Sequence, residues 1–230
     1  MSGLLTGQSA PIDRAGKNPR AWMVLLAVIA FGLVTDLGSK WWAFAKIAGV
    51  PAVVDRESVL RISSEMGPKQ IGRLLPAHEP VTVIPHVLEL TLVLNPGAVF
   101  GIGPGKRWFF IAFTVAAMVA GVALFARGTR ANQRAAHVAI GLLISGGLGN
   151  LYDRLSYGCV RDFLHPLPRL KWPFGIKVPW DPSGDQYVWP YVSNIADLWL
   201  IVGIAMLVVI LWRTDKAAKA TEQTASGAKA

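Results

Sequence analysis

The chain has 230 residues, of which 53% are apolar and 16% charged, and its mean hydropathy is +0.42. Globular chains carry about 25% charged residues, so a disordered polymer and an ordinary water-soluble enzyme both fit poorly, and a small membrane protein fits well. The formal charge of +9 sits in short clusters between apolar runs, not interleaved with stacking aromatics on one element, which argues for membrane orientation and against a nucleic-acid partner.

A helix needs about 20 mostly apolar residues to cross the hydrocarbon core. The first such span runs from about Ala21 to Ala45 and carries Asp36 and Lys40 one turn apart, on one helical face. Its apolar stretch is long for a cleaved signal peptide, and no small-residue cleavage site follows cleanly, so it is expected to stay embedded. Residues 46–85 show no strong period and receive no assignment. Leu88, Leu90, Leu92 and Leu94 then alternate with Glu89, Thr91 and Val93, which predicts a strand, and Asn95-Pro96-Gly97 turns the chain.

The second span, about Trp108 to Ala126, contains no charge. The third, about Ala135 to Tyr152, has His137 near its start and ends at Asp153. Its Gly141, Gly146, Gly147 and Gly149 allow close approach of a neighbouring helix. The stretch 164–192 is rich in Pro, Trp and Gly and reads as an ordered loop at the headgroup level. The fourth span, about Ile195 to Trp212, carries Asp197 near its start. After Lys216 the tail is rich in Ala, Lys, Thr and Gly, and no structure is expected there.

Three basic clusters set the orientation: Arg14, Lys17 and Arg20; Arg127, Arg130 and Arg134; and Arg213, Lys216 and Lys219. Four crossings put all of them on one side, which is the cytoplasm. The expected organisation is an inner segment 1–20, a membrane domain 21–212 and an inner tail 213–230. Two outer segments, about 46–107 and 154–194, cover the opposite face.

That topology gathers Asp36, Asp153, Asp162 and Asp197 near the outer membrane surface. The pattern Asn-x-x-Asp occurs at Asn150/Asp153 and at Asn194/Asp197, and a spacing of three keeps each pair on one helical face. An acid within a span is costly and is functional by default. An adjacent asparagine amide can donate to a carboxylate and orient it. Two close carboxylates cannot both ionise easily, so one can activate water while the other protonates a carbonyl, as in aspartic proteases.

Each acid also has a plainer reading. Asp36–Lys40 reads as a structural pair and Asp153–Arg154 as a helix-end ion pair. Asp197 could be a helix-dipole partner, and Asp162, beside Arg161, a solvated loop acid. Residue patterns leave Asp197 as the leading catalytic candidate and do not choose between Asp153 and Asp162 as its partner.

Other chemistries lack their residues. There is no H-E-x-x-H, and His78, His86, His137 and His165 are too scattered for a zinc site. One cysteine, Cys159, excludes an intrachain disulfide and a multi-cysteine metal site, and it has no clear histidine base. There is no G-x-S-x-G, and Ser145 lacks a histidine at its own depth, since His137 is about two turns inward. No glycine loop for phosphate is present, so neither metal nor organic cofactor is expected. A transporter with a proton-relay acid accounts for Asp36 and Asp197 but not for four acids gathered at one surface. A structural assembly factor is a second competitor.

The motifs TDLGSKWW at 35–42, NPGAVFG at 95–101, GGLGNLYDRLSYGCVRDF at 146–163 and NIADLWLIVG at 194–203 resemble lipoprotein signal peptidase (signal peptidase II). This is a family of aspartic proteases of the bacterial inner membrane. The resemblance implies four transmembrane helices with a small extracytoplasmic β-cradle and loop cap, the strand and turn near 86–101 belonging to the cradle. It implies Asp162 and Asp197 as the catalytic pair. It also implies Asn95, Asn150, Asp153, Arg154 and Asn194 as supporting polar residues, and Asp36 and Lys40 as structural support. The implied substrate is a diacylglyceryl-modified prolipoprotein, cut before its lipidated cysteine by a monomer embedded in membrane lipid. The sequence departs from the family in its longer segments 46–85 and 163–193, in Ser193 where an aromatic is common, and in Arg161 before the acid. Arg161 would favour ionised Asp162 if its side chain turned toward it.

Overall fold

The computed structural model describes residues 13–97, 107–175 and 187–227. Four helices are long and apolar enough to cross a membrane. Helix α1 (Pro19–Lys46) is capped by Asn18, whose side-chain oxygen accepts from the backbone N–H of Arg20 and Ala21, with proline at the first helical position. Helix α3 covers Arg107–Ala123 and continues through a π-helical turn, Leu124–Gly128. Helix α4 covers Arg134–Ser156. The fourth spanning helix, called α5 below, covers Ile195–Gly227. The four expected spans are therefore present, with ends moved by a few residues.

Helix α4 is the centre of the bundle and packs against α1, α3 and α5. Of its apolar window 67% is buried, against 22, 6 and 11% for α1, α3 and α5. It is also the least apolar of the four. The two facts have one cause: a helix shielded from lipid by its neighbours can carry glycines and hydrogen-bonded polar groups that a lipid-facing helix cannot. A Cβ on Gly146 would meet the carbonyl oxygen of Ala196 at 2.5 Å, and one on Gly149 would overlap the Asp36 carboxylate, so both contacts require glycine.

The segment 46–85, which has no sequence period, contains helix α2 (Arg56–Glu65) and a 3₁₀ segment, Pro68–Leu74. Asp55 caps α2 by accepting from the Ser58 N–H at 2.8 Å. Val59 is buried, with Ile62 packed beside it. A three-stranded antiparallel sheet follows, in the order β1 (Val81–Ile84), β2 (Leu88–Asn95), β3 (Val160–Pro166). The expected strand is thus the middle of the sheet. Part of the expected turn, residues 98–101, lies outside the described residues. The cap core gathers Phe44, Val59, Ile71, Leu90, Leu92, Leu94 and Phe163.

Two expectations are corrected. Asp162 lies not on a loop but on β3, opposite Val93 of β2. The tail after Lys216 is helical through Gly227, continuing α5 as an exposed extension supported by an Asp215–Lys219 pair one turn apart. The alanine- and lysine-rich composition that suggested absence of structure is also a good helix-forming one. The loop expected over 164–192 begins as the end of β3 and closes back on it: Leu164 of β3 and Ser193 bond to each other in both directions, and the Val188 N–H donates to the Leu170 carbonyl. Residues 176–186 of that loop lie outside the described residues.

Candidate active site

The acids gather where the C-terminal halves of α1 and α4 and the start of α5 meet β3. Residues on β3 alternate sides. Phe163 enters the cap core, and the Arg161 guanidinium lies 5.8 Å from the Phe44 ring, so Asp162 between them faces the bundle. An irregularity in the β2–β3 register between Leu90 and Val93 falls beside Asp162, where a bulge can re-aim a side chain.

Asp162 is buried and receives two amide donors. Asn95 Nδ2 donates to its Oδ2 at 3.1 Å, and Asn194 Nδ2 donates to its Oδ1 at 2.6 Å. Asp197 is half-buried and sits at the start of α5. Its backbone N–H donates to Asn194 Oδ1 at 3.1 Å, while the Asn194 N–H donates back to Asp197 Oδ2 at 3.2 Å. That reciprocal pair is a capping box. The helix-terminus reading of Asp197 is therefore correct as geometry, and the same residue joins the acid cluster. Asn150 Nδ2 donates to Asp197 Oδ1 at 2.8 Å. Asn150 Oδ1 accepts from Lys40 Nζ at 3.2 Å and from Asn194 Nδ2 at 3.1 Å. Asn194 thus touches both carboxylates, and Asn150 ties one of them to Lys40.

The Asp162 carboxyl is pushed up to about 7, first by burial and then by the negative charge of Asp197, with the Asn95 and Asn194 amides opposing. A carboxyl with that environment holds a proton near neutral pH.

Beneath this layer lies a fully buried ionic network. Lys40 Nζ is 2.8 Å from Asp36 Oδ2 and 3.3 Å from Asp153 Oδ2. Asp36 Oδ1 also accepts the Ala196 N–H at 2.9 Å, tying α1 to the start of α5. The structural reading of Asp36–Lys40 holds. The Asp153–Arg154 pairing does not: Asp153 is paired with Arg161, whose Nη2 reaches Oδ1 at 2.8 Å and whose Nε and backbone N–H add bonds at 3.2 and 3.0 Å. Adjacent helical residues point about 100° apart, so Arg154 cannot turn back to Asp153. Arg154 instead donates to the carbonyls of Asn150 at 3.2 Å and Gly97 at 3.1 Å, strapping α4 to the turn after β2. Arg161 accordingly neutralises Asp153 and not Asp162, the opposite of the orientation that would have favoured ionised Asp162.

All nine polar positions singled out in the sequence converge on one region. Arg161 is the residue whose role the sequence reading missed, because Val160, Arg161, Asp162 and Phe163 are all buried and no polar alternation marks β3 in the sequence. Cys159 is buried and its thiol is pushed up to about 12, chiefly by burial, so it is no nucleophile. Ser145 is buried and donates to the Leu142 carbonyl at 2.9 Å.

The family model described as signal peptidase (SPase) II matches residues 28–213. The chain belongs to the signal peptidase II family. The lipoprotein signal peptidase of Desulfitobacterium hafniense is 36% identical over 144 residues, covering 63% of this chain and 82% of the relative. That of Geobacter metallireducens is 31% identical over 176 residues, covering 75% and 92%. A bacterial membrane enzyme solved by the in meso method superposes with a TM-score of 0.54 at 23% identity, covering 89% of this chain and 93% of that one, a likeness of fold. Membership makes the chain a multi-pass membrane protease that removes signal peptides from lipoproteins. The transporter reading finds no support in these matches.

Proposed function

We propose that Asp162 and Asp197 are the catalytic pair of an aspartic endopeptidase, cutting diacylglyceryl-modified prolipoproteins before the lipidated cysteine. The observation that carries this is the shared environment of the two acids. Asn194 bonds to both, each has a second asparagine donor, and the charge of one raises the other. Asp162, buried and bonded to no cation among the described residues, is the member that holds the proton. Asp197, half-buried at the start of α5, is the better seat for the negative charge, because a helix N-terminus favours an anion.

The reaction follows from those roles. The Asp197 carboxylate takes a proton from water as its oxygen attacks the scissile carbonyl carbon. Asp162 gives its proton to the carbonyl oxygen, forming a neutral tetrahedral diol. On collapse the C–N bond breaks, the leaving nitrogen takes the proton from Asp197, and a diol hydroxyl returns one to Asp162. Each acid ends in its starting state, and all the groups come from one chain, so a monomer suffices.

The basic clusters near the ends of the bundle opposite Asp162 support an extracytoplasmic active site with both termini in the cytoplasm. Lipid tails of the substrate would then stay in the outer leaflet, with the scissile bond at headgroup depth. Incubating the purified protein with a lipid-modified precursor tests the reading. The expected product is a signal peptide ending immediately before the modified cysteine, with unmodified precursor left intact. Cleavage elsewhere, or equal cleavage of both precursors, would overturn it.

A further inference from the structure

The end of the bundle opposite the aspartates carries a groove of about 1190 Å³ between the N-terminal turns of α1 and α4. Arg20, Arg130 and Arg134 line it, with Asp13 as its single acid among the described residues. None of the three arginines makes an ion pair among the described residues, and residues 1–12 contain no acid. Met23, 62% exposed, lines the same groove, so a cationic rim meets an apolar wall. Counting α-helical rise, the groove lies about 20 Å from Asn150 along α4, remote from the acids.

The rim is built rather than incidental. The Ala15 N–H donates to the Thr129 carbonyl at 3.0 Å, and the Ala131 N–H donates to the Asp13 carbonyl at 2.9 Å. Trp22 Nε1 donates to the Gly16 carbonyl at 3.0 Å, and its ring meets Phe125 edge-on. These contacts lock the segment before α1 onto the α3–α4 connection, and with it the positions of Arg20 and Arg130. His137, fully buried, also lines the groove. Its Nε2 lies 3.1 Å from the Arg130 carbonyl, which can only accept, so Nε2 carries the hydrogen. Nδ1 is then a bare acceptor, buried with no partner among the described residues.

We propose that this groove binds the headgroup of an anionic phospholipid, the three arginines taking the phosphate and the unmet acceptor on His137 favouring a headgroup that bears hydroxyls. Arginine is suited to phosphate because its planar fork bonds two oxygens at once. An apolar wall beside the phosphate accommodates the start of the acyl chains, which a free anion would not use.

The test is lipid retention by the full-length protein in detergent micelles, read by native mass spectrometry with phosphatidylglycerol and phosphatidylethanolamine as probes. Micelles have no leaflets, so the result does not depend on the orientation proposed above. Cleavage of a lipidated precursor, followed in parallel, reports on the catalytic reading separately. Wild type is expected to retain phosphatidylglycerol in preference to phosphatidylethanolamine. The triple change Arg20→Gln, Arg130→Gln, Arg134→Gln is expected to weaken that retention at least about tenfold, since it removes the cations that face the phosphate. The control Arg213→Gln, Lys216→Gln, Lys219→Gln removes the same charge at the same end outside the groove and is expected to retain the lipid. Arg20→Gln alone, at an exposed first-turn position, keeps the test open should the triple variant misfold, and is expected to weaken retention in the same direction. Equal loss in the groove and control variants would overturn the proposal, as would unchanged retention in the groove variants. Full displacement of the lipid by millimolar inorganic phosphate would reassign the groove to a free anion.

Discussion

Replacing Lys40 by methionine probes the network under the acids most sharply. Lys40 is fully buried, and its ammonium contacts Asp36 at 2.8 Å, Asp153 at 3.3 Å and Asn150 at 3.2 Å. Methionine fills much of the same volume and removes the charge. Asp153 keeps all three bonds from Arg161, so it stays compensated. Asp36 keeps only the Ala196 N–H and becomes a stranded buried carboxylate. Breaking a buried pair from one side costs about 3–5 kcal/mol, whereas replacing both partners is often nearly neutral. Lys40→Met is therefore expected to lose about 3–5 kcal/mol, and Asp36→Asn with Lys40→Met to recover all but about 2 kcal/mol of stability. The assay is equilibrium unfolding in mixed micelles followed by tryptophan fluorescence. A loss below about 1 kcal/mol for the single change, or strict additivity in the double, would refute the stranded-charge reasoning.

The raised Asp162 carboxyl makes stability pH-dependent. Its folded value of about 7 exceeds the ordinary 3.8, so the folded state binds that proton more tightly, and the associated stability is present below 3.8 and lost as pH rises through about 7. Unfolding measured at pH 4.5 and 8 should show wild type losing more stability than Asp162→Asn across that interval; parallel slopes would contradict it. Gly149→Ala sets a Cβ against the Asp36 carboxylate and is expected to cost about 1–3 kcal/mol, while Gly38→Ala on α1, which meets nothing within 4 Å, is expected to be neutral or stabilising. Thermal unfolding of the pair checks this, and equal shifts would discount the close-approach argument. Cys159, buried with its thiol near 12, should resist alkylation at pH 8 in the folded protein, and Cys159→Ala should keep cleaving; rapid labelling or lost activity would reopen a thiol mechanism.

The spans were legible because lipid imposes an apolar run that composition alone reveals. The convergence of the acids was legible because four alternating crossings bring the end of α1, the end of α4 and the start of α5 to one end of the bundle. The β-cap was less so. On β3 the residues Val160, Arg161, Asp162 and Phe163 are all buried, one side against the cap core and the other against the bundle, so no polar alternation marks the strand. Helix α2 spans ten residues, too short for a strong period, though Asp55 before Ser58 and the Val59/Ile62 spacing carried its cap and its face. The Arg161–Asp153 pair depends on the turn at Gly158, whose φ of 79° folds β3 back along α4. A glycine in that sequence signals a turn but not where the turn delivers the next side chain. Motif resemblance, rather than periodicity, separated Asp162 from Asp153.

The central claim is that Asp162 and Asp197 act together on the scissile bond. Cleavage of a purified lipidated precursor by Asp162→Asn, by Asp197→Asn and by the double variant tests it most directly, with unfolding curves showing that each protein is folded. Each single change should lower the rate at least about 10²-fold, and the double should be little worse than either alone, because the two groups serve one proton transfer. A folded single variant that still cuts within about tenfold of wild type would contradict the account.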